Sequence, residues 1–197
     1  NEIFLSWLEA EDLSVGNFLE LQRQQHAAVQ YAFGRNGEAR SAGHSIRSGH
    51  ESRSVFYGHT IFLGPERMVG PLSVGEVYAN SPEAYPFPTV LFNEGRELNA
   101  IVGFAHFDGG QPHSTLILNL ARNTIDFVEL FQFGKLHAED WYQLLNAGFR
   151  VVGNAGSDFP ANLPAYESWP RAFPLLGPER ALVRAKAGES AYDAWAE

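Results

Sequence analysis

Three short apolar stretches of this sequence stop at a side chain that suits a divalent metal. The stretch VGFAH ends at His106, VVGNAGSD ends at Asp158, and VFYGH ends at His59, with Glu51 a few residues before it. An apolar run that stops in this way is typical of a strand whose last side chain lies at the C-terminal edge of a sheet or barrel, where α/β folds keep their chemistry. Three such endings in one chain favour a polynuclear hydrolase site.

The order of apolar and polar segments predicts alternating helices and strands. We predict strands over residues 12–21, 55–63, 100–105, 125–131, 149–155 and 180–185, and helices over residues 2–11, 93–98, 114–122, 138–147 and 190–197. The Gly- and Ser-rich residues 34–54 predict a loop, and five prolines within residues 64–93 predict a long irregular connection. Residues 158–178, rich in proline and aromatic residues, are also expected to be irregular. This alternation favours an α/β fold with a largely parallel sheet or barrel.

Composition narrows the classes of partner and metal. The chain of 197 residues has the length of one domain, and its formal charge of −9 argues against a nucleic acid or an anionic membrane as the main partner. A hydrolase site of the kind indicated above would act on a small-molecule substrate. Because the sequence has no cysteine, any metal must be held by His, Asp, Glu and water, a set of ligands that suits Zn, Mn or Fe.

Several longer motifs resemble one known family. The segments DFVELF from Asp126, WYQLLNAGFR from Trp141 and GSD from Gly156 resemble the PHP (polymerase and histidinol phosphatase) superfamily of metal-dependent hydrolases, in its CehA/McbA-like branch. Further motifs of that branch are matched in the same order by shorter segments. These are AEDL at residues 10–13, GHE at residues 49–51 with GH at residues 58–59, and AH at residues 105–106. The resemblance implies a single partial domain over residues 1–197. It also implies an incomplete, distorted (β/α)7 barrel of mostly parallel strands.

The resemblance also implies a set of ligands and a reaction. Glu51, His59, His106 and Asp158 match the metal-ligand positions of the family, and Glu51, His106 and Asp158 would act in catalysis. Divalent ions held there would activate a water molecule for attack on a phosphoester, or on an ester, amide or carbamate bond.

Two departures from the family pattern leave a second interpretation open. The family's His-x-His motif would lie before Asn1, and its closing Asp-x-His motif is replaced here by Asp158, Phe159 and Pro160. The resemblance thus implies a fragment that binds at most one metal ion well and whose metal site is only partly occupied. Such a fragment would be weakly active or inactive. The alternative is a non-catalytic relative with a binding or structural role.

The resemblance further predicts that strands outside this chain would close the barrel, which leaves an uncovered sheet edge. We expect that edge to be covered by self-association as a homodimer with two-fold symmetry, unless the N-terminal segment or residues 159–178 fold over it.

Each candidate residue also has an ordinary structural explanation. His59 would then be a buried core histidine, Asp158 the start of a turn, and Glu51 a solvated charge in a loop. Glu129 lies in an apolar segment, so it must find a partner or shift its pKa, and we expect it to line the pocket or to support the ligands. Two further histidines, His50 and His113, are weaker ligand candidates.

Overall fold

One curled, mixed sheet organises the molecule as a half-barrel. The structure is a computed structural model that describes residues 2–22, 34–71, 81–107, 113–159 and 176–196. The strands are β1 (Val15–Gln22), β2 (Ala39–Ser41), β3 (His44–Ser54), β4 (Gly58–Leu63), β5 (Ile101–Phe104), β6 (Phe127–Gln132), β7 (Lys135–Leu136) and β8 (Val152–Ala155). The α-helices are α1 (Glu2–Ala10), α2 (Pro88–Glu97), α3 (Leu116–Ala121), α4 (Ala138–Asn146) and α5 (Ala191–Ala196).

The sheet is mixed, so the expectation of mostly parallel strands was wrong. The pairs β1–β3, β5–β6 and β6–β8 are parallel, whereas β2–β3, β3–β4, β4–β5 and β6–β7 are antiparallel. The physical reason is clearest between β3 and β4, which are joined by only residues 55–57. A parallel pair needs a crossover of about a dozen residues or more, and a link as short as this one therefore permits only a hairpin. The Ser54 hydroxyl closes this turn by accepting hydrogen bonds from the backbone N–H groups of Phe56 and Tyr57.

The predicted loop over residues 34–54 was also wrong, because most of it forms β2 and the 11-residue strand β3. β3 is buried along almost its whole length although its sequence, HSIRSGHESRS, is polar. β1 pairs along one edge of β3 while β2 and β4 pair along the other, so neighbouring strands bond its backbone groups. One of its polar side chains, Arg47, lies 3.9 Å from Glu38 and over the ring of Trp195.

Most other predicted elements are present with shifted ends. α2 begins at Pro88, five residues before the predicted start, because proline is well suited to the first turn of a helix. α4 ends close to Gly148, which has φ of +94°, as its sequence predicted. Residues 180–185 form no strand, and most of residues 158–178 lie outside the described residues. No helix in the described part of the chain is long and apolar enough to cross a membrane.

Alternate residues of the central strands face two different environments. On one face, which we call the helix-covered face, strand residues pack against helical residues in a large apolar cluster that includes Phe62, Val102, Phe104, Val128, Leu130, Leu91, Phe92, Leu120 and Leu144. The other face, which we call the cavity face, has a smaller apolar cluster of Ile61, Leu63, Ala105 and Phe127, with Leu19 and Trp195 packed against it. The candidate ligands lie on the cavity face.

Candidate metal site

The strand pairing explains how residues distant in sequence meet. Glu51 pairs with Ile61 across the β3–β4 hairpin, and Arg53 pairs with His59, so Glu51 and His59 are diagonal neighbours on one face. β5 runs antiparallel to β4, so the end of β5 lies beside the start of β4. His106 comes two residues after the end of β5 and is therefore close to His59. The expectation that His59 ends a strand was wrong: residues 55–57 form the hairpin turn, and His59 is the second residue of β4.

Three ligand atoms converge in a small, buried space. His59 Nδ1 lies 2.6 Å from Glu51 Oε1, His106 Nε2 lies 3.1 Å from His59 Nδ1, and His106 Nε2 lies 3.6 Å from Glu51 Oε1. Ligand atoms of a tetrahedral zinc ion are about 3.4 Å apart, given metal–ligand bonds of about 2.1 Å. Two of the three separations are close to that value, and the third requires only that the 2.6 Å contact between Glu51 and His59 lengthens. This group could therefore hold a metal ion.

The imidazole of His106 is held with one particular nitrogen towards the group. Its Nδ1 contacts Gln132 Oε1 and lies 3.5 Å from Glu129 Oε2, which leaves Nε2 to face Glu51 and His59. Such a partner behind a histidine fixes the tautomer and the ring orientation that a metal ligand needs. The backbone of His106 has φ of +53°, and its N–H donates a 2.9 Å hydrogen bond to Glu129 Oε2. A left-handed conformation in a non-glycine residue is uncommon and is found often at functional sites.

Close polar contacts and opposite charges together outweigh burial in this group. Burial by itself would raise the pKa of Glu51, but the adjacent imidazoles of His106 and His59 and the charges of His59 and Arg53 outweigh it and hold the pKa well below its usual range. Burial would lower the pKa of His106, yet its contact with Glu51 and the charges of Glu51 and Glu129 raise it to about 9. Without a metal, Glu51 is therefore negatively charged and His106 positively charged at neutral pH.

Two further carboxyl groups lie near these ligands. Burial, opposed by the backbone hydrogen bond from His106, raises the pKa of Glu129 to about 7. Burial and then the negative charge of Glu51 raise the pKa of Asp158. Asp158 follows β8 with φ of +56°. It lines the same cavity as Glu51 and His106, but it does not belong to the group of three.

The cavity beside the group has a volume of about 510 Å³. The cavity face of the sheet forms one wall, and residues 12–19, residues 176–185 and α5 contribute others. Its polar lining includes Glu51, His106, Glu129, Gln132 and Asp158. Gly156 allows the backbone that follows β8 to lie close to Glu129, because a side chain at this position would overlap Glu129 Oε1. A space of this size suits a small organic molecule.

Sequence reasoning missed two residues of the site, Gln132 and Arg53. A β-bulge between Glu129 and Phe131 adds one residue to β6, so Glu129 and Gln132 reach the same cavity although they are three positions apart. No sequence signal predicts that bulge. Arg53 had a usable signal, since it lies two residues after Glu51 and shares its face once the segment is recognised as a strand.

The weaker histidine candidates lie outside the group of three. His50 is buried in β3 with its ring 4.7 Å from the ring of Phe62, and burial lowers its pKa to about 4. His113 Nε2 lies 2.7 Å from the carbonyl oxygen of Ala105.

Comparison with known proteins adds no assignment. A scan against protein-family models finds no matching family, and a search of curated proteins finds no match. The PHP resemblance and the expected homodimer therefore stay predictions.

Proposed function

We propose that this chain is a metal-dependent hydrolase domain of PHP type, in which Glu51, His59 and His106 hold a divalent metal. The observation that carries the proposal is the convergence of Glu51 Oε1, His59 Nδ1 and His106 Nε2 within 3.6 Å of one another among largely buried side chains. Two imidazoles and one carboxylate suit Zn, Mn or Fe. Three protein ligands also leave a coordination position open, which is typical of catalytic rather than structural zinc sites.

A bound metal would supply a Lewis acid and an activated water for attack on a phosphoester, ester, amide or carbamate bond. The residues of the chain have separate tasks. Glu51 supplies a buried carboxylate that is ionised at neutral pH. Gln132 orients the ring of His106, and Glu129 holds its backbone. Asp158 lines the cavity, from which it would contact the substrate or take a further coordination position.

A non-catalytic metal-binding domain is the second candidate. The observation that favours it lies in the sequence, where Phe159 and Pro160 follow Asp158 and supply no imidazole. Asp158 also lies outside the group of three.

Hydrolysis assays separate the two candidates. The chain is loaded with one equivalent of Zn²⁺ or Mn²⁺ and assayed with 4-nitrophenyl phosphate and 4-nitrophenyl acetate. We expect slow turnover of at least one substrate that stops on addition of a chelator and is absent from Glu51→Gln. Metal binding without turnover of either substrate would instead favour the non-catalytic domain.

A further inference from the structure

Arg53 places a fixed positive charge beside the metal-ligand group. It lies on β3 two residues after Glu51, on the same face of the strand, and it is the cross-strand partner of His59. Its Nε is 3.8 Å from Glu51 Oε1, the oxygen that faces both histidines. The side chain is 23% exposed, whereas that of Glu51 is 3% exposed.

The contact between Arg53 and Glu51 is too long to be a strong ion pair. A distance of 3.8 Å exceeds hydrogen-bond range, and the buried Nε has no hydrogen-bond partner among the described residues. Strong arginine–carboxylate pairs are shorter and usually bidentate. The charge of Arg53 nevertheless acts on Glu51 and on Asp158, where it favours the ionised carboxylate of each. Arg53 thus acts on the site mainly through its charge.

We propose that Arg53 serves as the second cation of this site, which limits the site to one metal ion and weakens the binding of that ion. The inference rests on the proposed function. A metal bonded to Glu51 Oε1 would lie within about 6 Å of Arg53 Nε, the sum of the 3.8 Å contact and a metal–oxygen bond of about 2.1 Å.

Repulsion between a divalent ion and a guanidinium at that distance is several times stronger in a partly buried site than in water. Arginine cannot relieve the repulsion by losing its proton, because a guanidinium stays charged in proteins. A second divalent ion on the same carboxylate would meet both the first ion and Arg53.

The Arg53→Met variant tests this inference because methionine keeps an apolar stem and removes the charge. Zn²⁺ is titrated calorimetrically into the whole chain of the wild type, Arg53→Met, Arg53→Lys and the control Arg122→Met. Arg122 is exposed, so the control also loses one positive charge, but from the surface. Circular dichroism checks that each variant is folded. We expect one Zn²⁺ in the wild type, and at least tenfold tighter binding or a second bound ion in Arg53→Met alone.

The outcomes separate this inference from the proposed function. Equal or weaker binding of one ion by folded Arg53→Met would overturn the role of Arg53 and leave the metal site intact. Failure of the wild type to bind any ion would overturn both. If Arg53→Met does not fold, the wild type is loaded with excess Mn²⁺, freed of unbound ion by gel filtration and measured by electron paramagnetic resonance. An isolated six-line signal supports the inference, and the signal of a spin-coupled pair of ions overturns it.

Discussion

The two faces of the central sheet are built from alternate residues of the same strands, yet they solve different physical problems. On the helix-covered face, Phe62, Val102 and Phe104 pack with helical side chains in one continuous apolar cluster. On the cavity face, Glu51, His59 and Glu129 are buried to a similar degree but meet charged partners. Burial of hydrocarbon stabilises the fold directly, whereas burial of charge is tolerated only where partners compensate it.

This difference teaches where stability and function are located. Buried ionic groups seldom add net stability, because desolvation offsets their mutual attraction. The cavity face therefore has a cost in stability that the helix-covered face must offset. Substitutions on the cavity face should change metal affinity, and substitutions on the helix-covered face should change the free energy of unfolding.

The largest expected effect is on the helix-covered face. Phe104 is fully buried there, so Phe104→Ala should lower the free energy of unfolding by about 3–5 kcal/mol. Urea denaturation followed by circular dichroism measures this loss. The control Ile117→Ala removes a side chain that is 55% exposed and should cost less than about 0.5 kcal/mol. Similar losses in both variants would contradict the assignment of the core to this face.

A pH-dependent effect of somewhat smaller size is expected from His106. Its folded-state pKa is raised to about 9 from 6.5, so the stability that it contributes is complete below pH 6.5 and is lost as the pH rises towards 9. The metal-free chain should therefore lose up to about 3 kcal/mol between pH 6.5 and pH 9. Urea denaturation in the presence of a chelator measures the slope, and His106→Gln should flatten it.

The zinc-loaded chain should not show this decline, because zinc binds only neutral imidazole and so leaves His106 no extra proton to lose. The stabilisation that zinc adds should grow over the same pH interval. A parallel decline of stability with and without zinc would indicate that His106 is not a ligand.

The smallest of these effects concerns the residue behind His106. Gln132→Leu removes the contact to His106 Nδ1, and we expect zinc affinity to fall roughly 10- to 100-fold because the ring loses its fixed tautomer. Competition with a coloured chelator measures the affinity. The control Gln143→Leu makes the same change on the exposed side of α4. Equal affinities in the two variants would mean that Gln132 does not orient the ligand.

The sequence predicted the helices and most apolar strands because their residues follow simple rules. α4 has acidic residues in its first turn and Gly148 just beyond its last turn, and β5 is a short run of apolar residues with one glycine. Of the four residues expected to meet, Glu51, His59 and His106 form one group, and Asp158 lines the same cavity outside that group. That expectation depended on a resemblance of motifs as much as on the strand endings.

The rest depends on tertiary partners that a sequence pattern does not reveal. β3 looks like a loop because its residues are polar, and it is a strand because β1, β2 and β4 pair with both of its edges. The direction of β4 follows from the three-residue turn at residues 55–57, which the sequence-based prediction included in a strand over residues 55–63. Gln132 joins the site only through the bulge in β6. Composition and periodicity contain none of these three facts.

The most direct test of the central claim is a calorimetric titration of Zn²⁺ into the whole chain at pH 7.5, repeated with Glu51→Gln. The claim is that Glu51, His59 and His106 form one metal site. We predict that the wild type binds one zinc ion. We also predict that Glu51→Gln, with the wild-type circular dichroism spectrum, binds it at least about 100-fold more weakly, because an anionic ligand is replaced by a neutral amide. No binding by the wild type, or equal binding by the folded variant, would contradict the claim.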